Sequence, residues 1–275
     1  MLFGELGQQL GMLSGGCLEA DLQTRARRVL QTGREETVSY DTLAETATDS
    51  TDMPAPAIPQ LGCGGIVDIV LQLPTANNQY LGLEALYQQL EGGNTGTLPL
   101  SVNEQPALNT TIKPPPALWV AGGGRDAIPL VELAKQLGWR VYLSDPRPAN
   151  ARRELFSGAE VIERELLKPE LPPAQLPGWL KDIDAAVVMT HNVSLDAKAL
   201  QLLCGTRIRY CGLLGPQHRK QEVLELAELD EAALPAKLHG PAGFNIGGEL
   251  PESIALSILA QCHQAIYRRE QNPND

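Results

Sequence analysis

The chain has 275 residues, 43% hydrophobic and 20% charged, the composition of a soluble globular protein with one large or two ordinary domains. Its 33 acidic against 22 basic side chains give a formal charge of −11, which opposes binding to nucleic-acid phosphates or to a membrane surface. Apolar runs are strand-sized, far short of the roughly 20 residues of a membrane span. No basic stretch followed by an apolar one opens the chain, so neither an anchor nor a secretory leader is expected.

In the first half, Gly15-Gly16-Cys17 introduces a helix with apolar positions Leu18, Leu22, Ala26 and Val29. Residues 42–59, rich in Thr, Ala, Asp and Pro, read as a long loop. Gly62-Cys63-Gly64-Gly65 precedes a strand over 66–73, and Leu81 to Leu90 has helical spacing. A small α/β module is expected over residues 1–112. Residues 92–116 are rich in Gly, Asn, Thr and Pro and end in Pro114-Pro115-Pro116, which predicts an extended spacer and a domain boundary.

Residues 113–275 alternate between strand and helix. Ala117 to Val120 is a buried strand running into Gly122-Gly123-Gly124, and Asp126 to Leu137 carries a helical stripe stopped by Gly138. Strands are predicted over 139–143, 185–189 and 208–214, with a helix over 194–203. Pro251 opens a last helix with Ile254, Ile258, Leu259, Cys262 and Ile266 on one face. This alternation predicts a Rossmann-like, doubly wound parallel sheet, an α/β fold.

The five cysteines are scattered without a CxxC pair, which suits reduced thiols in the cytoplasm and argues against structural zinc. Cys204, Cys211 and Cys262 fall at positions expected to face the core. Cys17 and Cys63 are flanked by glycines. At a helix start a thiol gains thiolate character and suits soft metals, although Glu19 and Asp21 oppose that; a small buried apolar role is the alternative.

Gly122, Gly124 and Ala127 fit G-x-G-x-x-A between strand and helix, where backbone N–H groups cradle phosphates. Asp145 ends the next strand about 20 residues on, where a ribose acceptor belongs. Arg147 adds a group suited to an anion. His191 follows a third strand, at the carboxyl edge where open α/β sheets bind ligands; it reads as an anion ligand, an acid or base, or a surface loop residue. A phosphate-bearing ligand and an unoccupied structural turn both fit the glycine loop. Gly243 to Gly248 reads as a second anion site or as a turn, and Glu222 to Glu231 as a solvated face.

In Ser14-Gly15-Gly16-Cys17-Leu18-Glu19, Gly62-Cys63-Gly64-Gly65, the stretch from Gly122 to Asp145-Pro146-Arg147-Pro148, Thr190-His191 with Tyr210 to Gly215, and His239-Gly240-Pro241 through Pro251-Glu252-Ser253, the chain resembles the XdhC/CoxI maturation factors of molybdenum hydroxylases. The resemblance spans nearly the whole sequence. It implies a cysteine-bearing module followed by a Rossmann domain. It further implies a cofactor-binding chaperone that holds molybdenum cofactor (molybdopterin) while a cysteine desulfurase supplies sulfur, then delivers it to xanthine dehydrogenase or carbon monoxide dehydrogenase.

Carried over by position, Cys17 and Cys63 are candidates for molybdenum or sulfur handling. The first module is expected to be shortened at its start, Ala127 replaces the last motif glycine, and Arg219-Lys220 stand where the family has a more basic cluster. An NAD(P)-dependent oxidoreductase using His191, and a non-catalytic scaffold, are the competing expectations. A homodimer is compatible with either.

Overall fold

The computed structural model describes residues 1–41, 65–100, 108–168 and 171–267. The loop read over 42–59 and the motif cysteine Cys63 lie outside them. The chain divides into two units, Met1–Lys113 and Pro114–Asp275.

In the first unit, β1 (Leu2–Phe3) pairs antiparallel with β2 (Gln9–Leu10) ahead of α1 (Glu19–Thr32). The predicted stripe forms as expected: Leu18, Leu22, Ala26 and Val29 are buried against Val38 and Tyr40 of β3 (Glu36–Asp41) and Leu71 of β4 (Ile66–Leu71). β3 and β4 are antiparallel, with Glu36 opposite Leu71 and Asp41 opposite Ile66.

A polar tie holds α1 to β3. Tyr40 donates to Asp21 at 2.6 Å, and Arg25 bridges Asp21 and Glu36, both at 2.6 Å. Burial pushes the Tyr40 phenol up to about 12, and its bond to Asp21 adds to that.

α2 (Leu83–Glu91) starts two residues later than predicted, because Leu81 takes a left-handed φ of 55°. β5 (Gly96–Leu100) and β6 (Leu108–Ile112) pair antiparallel, which corrects the spacer reading of 92–116. The same extended preference of Thr, Ile and Pro that suggests a spacer serves a strand pair equally well.

The second unit contains six parallel strands in the order β12-β11-β10-β7-β8-β9. They are β7 (Ala117–Ala121), β8 (Arg140–Ser144), β9 (Val161–Glu163), β10 (Ala185–Val188), β11 (Tyr210–Leu213) and β12 (Leu238–His239). From β9 inward to β7 and on to β12, this is the doubly wound order of dinucleotide-binding sheets, with its switch point between β7 and β10.

Every residue of β7 is buried, and its side chains alternate between two cores. Leu118 and Val120 face α3 (Ala127–Gln136) and α6 (Pro251–Tyr267), while Trp119 and Ala121 face α4 (Val193–Leu203) and α5 (Gln217–Ala227). Burying each such large side chain contributes about 1.5–3 kcal/mol, which is why the central strand reads as an unbroken apolar run.

Cys211 and Cys262 are buried, as expected, but Cys204 is exposed. It caps the end of α4, one position past Leu203, which takes the last core place. Gly243 packs against Ser257 of α6, and the Phe244 amide donates to the Ser257 carbonyl at 3.3 Å, while Asn245 to Gly248 are exposed. No helix among the described residues is long and apolar enough to cross a membrane.

Candidate functional site

In the first unit the site is a loop folded around one carboxylate. Gly15 and Gly16 take φ of 72° and 115°, a backbone region open to glycine, and that turns the chain sharply before α1. The turn points the amides of Leu13, Ser14 and Gly16 at Glu19. One Glu19 oxygen accepts from the amides of Leu13 at 3.0 Å and Ser14 at 2.9 Å; the other accepts from the Ser14 hydroxyl at 2.6 Å and the Gly16 amide at 2.9 Å. The Ser14 oxygen in turn accepts from Leu18 N–H at 2.8 Å.

These donors, the Ser14 hydroxyl foremost, hold the Glu19 carboxyl down to about 2. Leu18 is driven into the core, and its neighbour Cys17 is left exposed on the outer side of the loop. The sequence presents Glu19 as an obstacle to a thiolate; the structure shows it as the residue that shapes the loop presenting the thiol.

One prediction follows from this geometry. Glu19→Gln keeps the helix but weakens the loop, so amide exchange at Ser14 and Gly16 accelerates. In the unaltered protein the protection persists at neutral pH and is lost only as the pH falls toward about 2, where Glu19 protonates. Exchange measured by NMR across an acid titration checks both statements; protection equal in the two proteins would refute them.

In the second unit the site lies at the carboxyl edge of the sheet. Gly122 leaves β7 with φ 122°, and its amide donates to Ser144 of β8 at 2.8 Å. The backbone of Met189 and Thr190, at the end of β10, passes so close that only a residue without a Cβ fits. The Gly123 amide donates to Asp145 at 2.9 Å. The next residues, Gly124 to Asp126, open α3; the first-turn amides of Ala127 and Ile128 donate to the Gly124 and Arg125 carbonyls at 3.1 and 3.3 Å, and Pro129 has no N–H.

Asp145 is fully buried. Besides Gly123 it accepts from the Arg147 amide at 2.9 Å, the Arg147 guanidinium at 2.8 and 2.7 Å, and Asn150 at 3.0 Å. Burial alone pushes this carboxyl up, but the Arg147, Gly123 and Asn150 bonds together hold it below the usual range. Arg147 also donates to the Thr190 carbonyl at 2.8 Å, so one side chain ties the ends of β8 and β10 together across the switch point.

His191 follows Thr190 with a left-handed φ of 58°, a conformation costing about 1 kcal/mol for a residue with a Cβ. It is held there because Thr190 is pinned: its amide and hydroxyl donate to Asp196 at 3.1 and 2.5 Å, and Asp196 is paired with Arg219 at 2.6 Å. His191 Nε2 meets the Asp126 carboxylate at 2.7 Å, beside Gly124.

The structure thus brings Gly122, Gly124, Asp145, Arg147 and His191 to one sheet edge. Cys17 belongs to the other unit. Asp126, Asn150, Thr190 and Asp196 also build this edge and carry no spacing signal; Asp126 lies within the glycine motif, but its partner is 65 residues away in the chain.

Comparisons with known proteins agree with both units. Residues 118–262 match the model of the XdhC Rossmann domain, and residues 1–41 match that of the XdhC and CoxI family. A Bacillus subtilis protein, described as a probable subunit of xanthine dehydrogenase, is 28% identical over 98% of this chain and 88% of its own. The uncharacterized protein YqeB of Escherichia coli is 30% identical over 54% of this chain and 27% of its own length. A crystal structure described as a xanthine dehydrogenase from Bacillus halodurans superposes with a TM-score of 0.74 at 26% identity, covering 98% of this chain and 87% of that one. The chain belongs to the XdhC and CoxI family.

Proposed function

We propose that this protein binds molybdenum cofactor as cargo in the cytoplasm, holds it while a cysteine desulfurase supplies sulfur, and delivers it to a molybdenum hydroxylase of the xanthine dehydrogenase or carbon monoxide dehydrogenase type. The observation that carries this reading is Cys17, exposed at the start of α1 on a loop that Glu19 holds with four hydrogen bonds. A fixed, accessible thiol is what sulfur transfer or coordination of a soft metal requires. Among the described residues no cluster of three or more His, Cys, Asp or Glu is placed to cage a metal ion. A cargo that brings its own sulfur ligands to the metal needs only a thiolate from its carrier.

Cys63 is the second thiolate of the proposal, on its sequence position between Gly62 and Gly64. The glycine loop and the start of α3 suit the phosphate of the pterin, by the close backbone approach that glycines allow and the partial positive charge of a helix start. The five donors already on Asp145 favour this over nicotinamide dinucleotide chemistry, because a ribose hydroxyl has to displace one of them.

The test is reconstitution of an apo-hydroxylase with cofactor, desulfurase and this protein. The intact protein is expected to raise the recovered hydroxylase activity several-fold over a reaction without it. Cys17→Ser and Cys63→Ser are expected to abolish most of that gain while keeping the native circular dichroism. Equal activation by both variants would refute the thiolate role.

A further inference from the structure

Asp126 stands at the position that ordinarily caps a helix by accepting from the second or third amide of the first turn. Here the second of these, on Ile128, donates to the Arg125 carbonyl at 3.3 Å, and the third residue is Pro129, which has no N–H. Asp126 accordingly makes no cap bond. Its side chain turns back over the glycine loop instead. A Cβ added at Gly124 would collide with Asp126 Oδ1 and lie 3.9 Å from the His191 ring, while Asp126 Oδ2 meets His191 Nε2 at 2.7 Å.

Three pairs of a carboxylate with a basic side chain line this edge, and they differ in what an entering anion can do to them. Asp145 and Asp196 have side-chain exposures of 0% and 1%, and each accepts from further donors, so their hold on Arg147 and Arg219 is fixed. Asp126 and His191 keep 28% and 59% exposed. An ion pair in that setting is worth little and exchanges readily. His191 is therefore the base that an incoming phosphate can claim, since an imidazole N–H donates to phosphate as it does to carboxylate. The His191 backbone is held by the bonds from Thr190 to Asp196, which do not involve Asp126.

We propose that Asp126 is a built-in competitor for the phosphate of the ligand. In the free protein it covers Gly124 and occupies His191; on binding, the phosphate replaces it on His191. The inference rests on the reading that puts the pterin phosphate on the glycine loop. It adds a side-chain donor for that phosphate and an internal anion that sets how tightly the phosphate is held. A carrier has to release its cargo, and the return of Asp126 to His191 compensates for the departing phosphate.

Anaerobic equilibrium binding of molybdenum cofactor to the full chain, and of the same pterin after removal of its phosphate, tests this. Asp126→Ala is expected to bind the phosphorylated pterin about three- to tenfold more tightly, because entry no longer breaks a pair or meets a carboxylate. His191→Asn, whose side chain tolerates a left-handed backbone, is expected to bind it roughly tenfold more weakly, as loss of a charged hydrogen bond does. Toward the dephosphorylated pterin the intact chain and both variants are expected to bind alike. Thermal melting verifies that each variant is folded, and general loosening cannot produce effects of opposite sign.

The backbone amides of Gly123 to Arg125, followed by NMR in the intact protein, locate the phosphate independently. Shifted amides together with Asp126→Ala binding no tighter than the intact chain, or with His191→Asn binding as tightly as it, would overturn the exchange and leave the phosphate on the glycine loop. Unmoved amides, or binding indifferent to the phosphate, would overturn that placement and the exchange with it.

Discussion

Gly122→Ala is expected to destabilise the Rossmann unit by roughly 3–5 kcal/mol, the sum of a strained φ and an overpacked backbone contact. At this position an added Cβ would run into the Met189 carbonyl oxygen and lie 2.5 Å from its carbon. Both are backbone atoms of a central strand, so neither can turn aside as a side chain would. The residue also has a φ of 122°, which L side chains rarely adopt. Relief requires β7 and β10 to separate at the switch point, against the pairing of Ala121 with Val188. Urea unfolding followed by tryptophan fluorescence measures the change through Trp119, at the centre of the sheet. A loss below about 1 kcal/mol would mean that the two strands are not held as close as described.

Asp145→Asn is the second large effect. The substitution removes the charge opposite Arg147 and puts an NH₂ group where the buried carboxylate accepted from several donors. Arg147 keeps 41% of its side chain exposed and is rehydrated, so the cost is that of the lost charged hydrogen bonds, about 1.5–3 kcal/mol. The same residue predicts a pH dependence. Its pKa in the folded state is lower than in the unfolded chain, so the stability it contributes is complete above the unfolded value of about 3.9 and declines as the pH falls through the lower folded value. The intact protein should therefore lose stability on acidification below about pH 4. The Asn variant, already weakened at neutral pH, should show a shallower decline. Parallel acid-titration curves for the two proteins would contradict this assignment.

Much of the second unit is legible in the sequence because its signals are local. An apolar run ending in three glycines specifies β7 and its turn, and the stripe through Leu130, Val131 and Ala134 specifies α3, although Leu137, expected on that stripe, is exposed at its C-terminal cap. The outer strands β9 and β12 are not legible: with three and two residues, they are too short to carry a period and are defined by their neighbours. Cys204 shows the same limit, since one step past the last turn of a helix reverses its exposure.

At the site, spacing correctly brings Asp145 to the end of β8 but says nothing of which groups reach it. Arg147, Asn150 and Gly123 converge on it through the folding of the loop after β8. The Asp126–His191 pair joins residues from two strand ends that become neighbours only in the doubly wound order. In the first unit the helix stripe of α1 is plain. The role of Glu19 is hidden, because the glycine-rich turn reverses the apparent sense of an acidic residue beside a cysteine.

The most direct test of the proposed role is retention of cargo. Purified protein is incubated anaerobically with molybdenum cofactor and desalted, and molybdenum and pterin are quantified per chain. The carrier reading predicts near-stoichiometric retention of both, lost in the Cys17→Ser, Cys63→Ser double variant. Molybdenum and pterin at background levels in the intact, folded protein would contradict it.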